Sequence, residues 1–126
     1  MRTVIARIVI PCFLSAVLVA GCSGPEAPDS AICQDVIHRL CLAPRCPTVD
    51  AALNVADDCE ATLLDRTGCA AGDFSFTSPS REEVLQCRAP LLHPGNGPEE
   101  HPSCEDVSQV LSQCGGLVNF LKGGAP

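Results

Sequence analysis

Ile32-Cys33-Gln34-Asp35-Val36-Ile37-His38-Arg39-Leu40-Cys41 decides the fold. Ile32, Cys33, Val36, Ile37, Leu40 and Cys41 fall at i, i+4 and i+8 steps on one side, while Gln34, Asp35, His38 and Arg39 fill the other, which is the pattern of a helix with one face turned to a core. Both cysteines stand on the apolar side. Asp29 or Ser30 can cap the start of this helix, and Pro44 and Pro47 end it.

Towards the C-terminus the same period recurs. Thr48 can cap a second helix running to about Arg66, with Val49, Leu53, Ala56, Cys59 and Leu63 on one stripe and Gly68 as its stop. Glu60 falls inside that stripe, so either the helix breaks near Asp57-Asp58 or Glu60 sits at the rim with its carboxylate in water. Ser80-Arg81-Glu82-Glu83 matches a capping box, with Ser78-Pro79 as an alternative start. That helix should stop at Ala89, because Pro90 disfavours helical geometry in the residue before it. Ser103 caps a last helix whose apolar residues Val107, Val110, Leu111, Cys114, Leu117, Val118 and Leu121 keep one phase across Gly115-Gly116. The glycine pair costs about 2 kcal/mol of helix propensity, which predicts a kink or a fresh turn at Gly115. Residues 91–102, rich in proline and glycine, read as a surface loop. The expected fold is all-α, a small disulfide-bonded bundle of four short helices over residues 32–126.

Ahead of this domain, residues 23–31 carry proline, glycine and acids with no periodicity, as a tether would. Further upstream, Arg2 and Arg7 supply a positive start, residues 8–20 a short apolar run, and Val19-Ala20-Gly21 a small-residue cleavage site followed by Cys22. The run is too short to span a bilayer, which takes about 20 residues. Leu18 to Cys22 resembles the lipobox of bacterial lipoproteins. The resemblance implies that residues 1–21 are a signal peptide cut by signal peptidase II, that Cys22 carries a diacylglycerol and an amide-linked acyl chain, and that residues 22–31 tether the domain. Two or three chains make a stable anchor at about 0.8 kcal/mol per buried methylene. In that family an aspartate after the cysteine marks inner-membrane retention; Ser23 therefore implies sorting to the outer membrane.

Of the ten cysteines, Cys12 would leave with the signal and Cys22 would hold the lipid. Eight remain: Cys33, Cys41, Cys46, Cys59, Cys69, Cys87, Cys104 and Cys114. An even number in a small exported domain reads as a disulfide framework, because the compartment is oxidising. Cys33 and Cys41 lie about 12 Å apart along one helix and Cys104 and Cys114 about 15 Å, beyond the roughly 7 Å Cα limit of a bridge, so each pairs elsewhere. An antiparallel hairpin of the first two helices about residues 44–47 puts Cys33 level with Cys59, and the same reasoning pairs Cys87 with Cys104. For the other four no geometric argument exists, and Cys41–Cys46 with Cys69–Cys114 is one arbitrary choice.

Losing Arg2 and Arg7 leaves six basic residues against fifteen acids, a mature charge of −9. Nucleic acid is a poor partner for such a chain, and so are anionic headgroups. The acids fall in pairs, Asp57-Asp58, Glu82-Glu83, Glu99-Glu100 and Glu105-Asp106, without the spacing of a calcium loop. No metal or cofactor is expected: zinc needs thiolates, and exported cysteines in even number are oxidised. His38-Arg39-Leu40-Cys41 resembles the helical His-x-x-Cys of secreted phospholipases A2, but Arg39 stands where that family has aspartate, Gln34 and Asp35 replace its cysteines, and no glycine-rich calcium loop precedes it. His93 and His101 lie in the proline-rich stretch with no partner spacing, and no nucleophile elbow occurs.

The sequence thus reads as a lipid-anchored envelope lipoprotein, not an enzyme, whose rigid acidic domain binds an envelope protein or a wall component. A small lipid-anchored hydrolase is the alternative. Phe74 and Phe76 are spaced so that an extended segment points both to one side. They are expected either to plug the core or to form an exposed binding anchor.

Overall fold

The computed structural model describes residues 26–42, 46–55, 57–92 and 101–124. Among these, six α-helices and one turn of 3-10 helix (Ala89–Leu92) form an all-α, disulfide-bonded fold without strands. The helices are α1 (Asp29–Cys41), α2 (Pro47–Leu53), α3 (Cys59–Thr67), α4 (Arg81–Arg88), α5 (Cys104–Gln113) and α6 (Gly115–Leu121).

Six helices replace the expected four because two of the expected helices are broken. The stretch after the first turn divides into α2 and α3. Asn54 ends α2 in the left-handed conformation, φ 50°, which asparagine tolerates better than most residues. Asp58 then opens α3, its side chain accepting the Ala61 N–H at 3.2 Å. Glu60 lands in the first turn of α3 with its side chain exposed, so the break rather than a buried carboxylate resolves the conflict in the stripe. Arg66 of α3 reaches back to donate to the carbonyls of Leu53 and Asn54 at 2.6 and 2.7 Å, covering the otherwise bare end of α2. The second break falls at Cys114, which closes α5 and opens α6, while the core face continues through Leu117 and Leu121 as the shared phase predicts.

Several caps are as expected. Ser80 and Glu83 form the full capping box of α4. Ser103 accepts the Asp106 N–H at 3.1 Å, and Gly68 ends α3 at φ 71°. Others are not. Pro28 and Cys46, rather than Asp29 or Ser30 and Thr48, occupy the N-caps of α1 and α2, because Pro47 suits a first helical position and Asp29 is engaged elsewhere. Helix α1 begins at Asp29 and Ala27 is buried, so residues 27–31 belong to the domain and not to the tether. Leu91 is likewise fully buried in the 3-10 turn rather than in a surface loop.

The interior is aliphatic. Ile32, Val36, Ile37 and Leu40 from α1 meet Leu53, Leu63, Val84, Leu91, Val107, Val110 and Leu121, all with essentially no exposure. Four disulfides cross this core: Cys33–Cys69, Cys41–Cys59, Cys46–Cys104 and Cys87–Cys114, with Cα separations of 5.9, 5.7, 5.5 and 6.1 Å. All eight expected cysteines are therefore bridged, but in none of the expected pairs. The antiparallel partner of α1 is α3, not α2: Cys33 near the start of α1 is level with Cys69 just past α3, and Cys41 at its end is level with Cys59 at the start of α3. The intervening α2 turns away and is tied to α5 through Cys46–Cys104.

One charged cluster is carried inside. Arg88 is 3% exposed, with Nη1 3.4 Å from Asp35 Oδ2, and the same oxygen lies 3.0 Å from Arg39 Nε. Arg39 also donates to the Leu91 carbonyl at 3.4 Å, so Asp35 ties α1 to α4 and Arg39 ties α1 to the 3-10 turn.

Candidate functional site

The side chains with the most to offer a partner gather where the described chain begins. Asp29, in the first turn of α1, points across to the segment before α4. Its Oδ2 accepts the Phe76 N–H at 2.9 Å and the Ser75 hydroxyl at 3.3 Å, and its other oxygen pairs with Arg81. Arg81 in turn donates to the Ala27 carbonyl at 2.7 Å. Burial pushes the Asp29 carboxyl up, but the Phe76 amide, the Arg81 guanidinium and the Ser75 hydroxyl together outweigh it and hold the group below the usual aspartate value.

This knot presents Phe74 and Phe76. Their rings meet edge to face with centroids 5.0 Å apart, and Phe120 from α6 lies 6.0 Å from each. All the aromatics among the described residues therefore form one cluster. Each ring is half-buried, its inner edge packed on the core. A cavity of about 240 Å³ opens between the rings and the ends of α3 and α6, with Arg66, Thr67, Ser75 and Thr77 on its polar walls. Phe74 and Phe76 pack against the core and also line this solvent-open cavity. Nothing local in the sequence links residue 120 to residue 76, and an acid at a helix start signals a cap, so neither Phe120 nor Asp29 is marked by the sequence as part of this cluster.

The other candidates are dispersed. His38 Nδ1 is 3.5 Å from Glu60 Oε1 across the α1–α3 hairpin, with both side chains about half exposed, which makes a surface pair charged only when the histidine is protonated. His101 is half-buried, its Nδ1 3.1 Å from the Pro102 carbonyl. The eight disulfide cysteines offer no thiolate, and no cluster of metal-ligating side chains occurs among the described residues. Between α2 and α5 lies an open apolar groove lined by Ala51, Ala52 and Leu111. Cys22, the signal segment 1–21 and His93 lie outside the described residues. No described helix is long and apolar enough to cross a membrane.

Fold and pole together define a small, disulfide-rich, all-α protein. Comparison with protein-family models, with curated proteins and with solved structures finds no match to this chain.

Proposed function

We propose that the protein is a lipid-anchored envelope lipoprotein whose domain works as a non-enzymatic binding or accessory module. The observation that supports it best is the bridging of all eight cysteines that follow the lipobox cysteine. Such a framework belongs to an oxidising compartment, where the resemblance of residues 18–22 to a lipobox sends the chain. The anchor is Cys22, and Ser23 after it directs the protein to the outer membrane. The partner is an envelope protein or wall component rather than nucleic acid, given the mature charge of −9. Recognition falls to the surface and not to His38, whose pairing with Glu60 is an exposed one.

Radiolabelled palmitate supplied to cells tests this reading. The wild-type protein should take up label and fractionate with the outer membrane, and Cys22→Ala should remain an unlabelled precursor. Label retained by Cys22→Ala would refute the assignment.

A further inference from the structure

We propose that the pole carrying Phe74, Phe76 and Phe120 is the face the domain turns to the bilayer that holds it, with the ring edges seated at the boundary between headgroups and acyl chains. The inference rests on lipidation at Cys22 and adds the orientation of the domain to it.

Chain length carries the argument. Ala27 is fixed to the domain by Arg81 and Asp29 by Phe76, Ser75 and Arg81. Only five peptide steps separate the Cα of Ala27 from that of Cys22, and at full extension these reach about 18 Å. A folded domain of this size has a radius of gyration of about 13 Å, so the reach is well short of its width. The anchored domain therefore cannot roll over to present its far side, and residues 27–29 with what surrounds them stay on the half of the domain nearer the membrane. What surrounds them is the Phe74–Phe76 segment, bound directly to Asp29, with the Phe120 ring set at an angle against both its rings.

The chemistry of the pole suits that place. Half-buried aromatic rings with hydroxyls and a guanidinium beside them match the interfacial layer, where an apolar edge and a polar rim are both satisfied. Exposed Asp57, Asp58 and Glu60 lie at the other end of the α1–α3 hairpin, beside Cys41–Cys59. Glu82 and Glu83 stand next to Arg81, so the pole is not cationic. The contact is thus one of rings with lipid, independent of anionic headgroups.

Because the chain contains no tryptophan or tyrosine, single reporters can test this. The lipidated full protein carrying Phe76→Trp, Phe120→Trp or Leu92→Trp is reconstituted into phosphatidylcholine vesicles, with and without lipid brominated near the ester end of its chains. Leu92 is exposed and adjoins Leu91, whose carbonyl is bound by Arg39, about 15 Å along α1 from Asp29. Bromolipid should remove at least about half of the emission of the two phenylalanine-site reporters, as for side chains about 5–10 Å into the boundary, and little of the Leu92 reporter's. Amide exchange of the wild type, which needs no variant to fold, should slow at residues 74–78 on vesicles relative to the unlipidated chain of residues 23–126 in solution. Acylated, vesicle-bound protein with unquenched phenylalanine-site reporters or unchanged exchange at 74–78 would overturn the orientation and leave the anchor standing. Protein that is neither acylated nor vesicle-bound would overturn the anchor, and the orientation with it.

Discussion

Asp29 Oδ2 accepts the backbone N–H of Phe76 at 2.9 Å, joining the first turn of α1 to a segment 47 residues later. The bond sets where the chain enters the domain and where its aromatic cluster sits. It also links stability to pH. Because the folded pKa lies below the unfolded value, Asp29 stabilises the protein above that unfolded value, about 4, and the contribution is lost as pH falls through the folded pKa. Asp29→Asn should cost about 1–2 kcal/mol in denaturant unfolding at pH 7, at the lower end for charge-assisted bonds because solvent reaches the pair. The gap to wild type should narrow as the pH falls through the folded pKa of Asp29, where both proteins come to carry a neutral side chain.

The carboxylate shared by Arg39 and the buried Arg88 behaves differently. Asp35→Ala leaves a guanidinium inside the domain without that partner and should cost about 3 kcal/mol or more. Replacing the pair together, Asp35→Leu with Arg88→Met, should be milder than the single substitution, as a double-mutant cycle of melting curves would read.

Disulfide mapping of the purified domain should return Cys33–Cys69, Cys41–Cys59, Cys46–Cys104 and Cys87–Cys114, with no free thiol on denaturing alkylation. The closed loops span 18 residues for Cys41–Cys59 and 58 for Cys46–Cys104. Loop entropy makes removal of the first cost about 3 kcal/mol and of the second about 4 kcal/mol, measured on paired alanine variants by chemical unfolding. A linked peptide joining Cys33 to Cys59 would contradict the hairpin of α1 with α3.

Phe74→Ala should destabilise by about 2 kcal/mol, less than the 3–5 kcal/mol of a fully buried ring because this one is half exposed. Its edge-to-face contact with Phe76 should appear as a coupling of about 0.5–1.5 kcal/mol between the two alanine variants. Additive costs would mean that the rings act independently.

Much of the helical layout was legible one turn at a time. Ser80 with Glu83, Ser103, and Gly68 at the end of α3 are signals whose partners lie within four residues, so local chemistry suffices to read them. The break at Asn54 and Asp58 was half legible: the buried stripe conflicted with Glu60, yet choosing the break required knowing that Arg66 would cover the carbonyls of Leu53 and Asn54. Asp29 carried the wrong signal, since an acid at a helix start reads as a cap whatever distant amide it serves.

By itself the sequence determined that the chain is helical, because the 3.6-residue apolar period is written into each segment. It also implied that the eight cysteines are bridged, because parity and small size demand it. Only the tertiary structure decided which cysteines pair, that α3 rather than α2 lies against α1, and that Phe120 completes the cluster at Asp29 and Phe76. Those relationships depend on where each helix goes after it ends, and that is fixed by burying all the apolar faces at once, an energy no single segment contains.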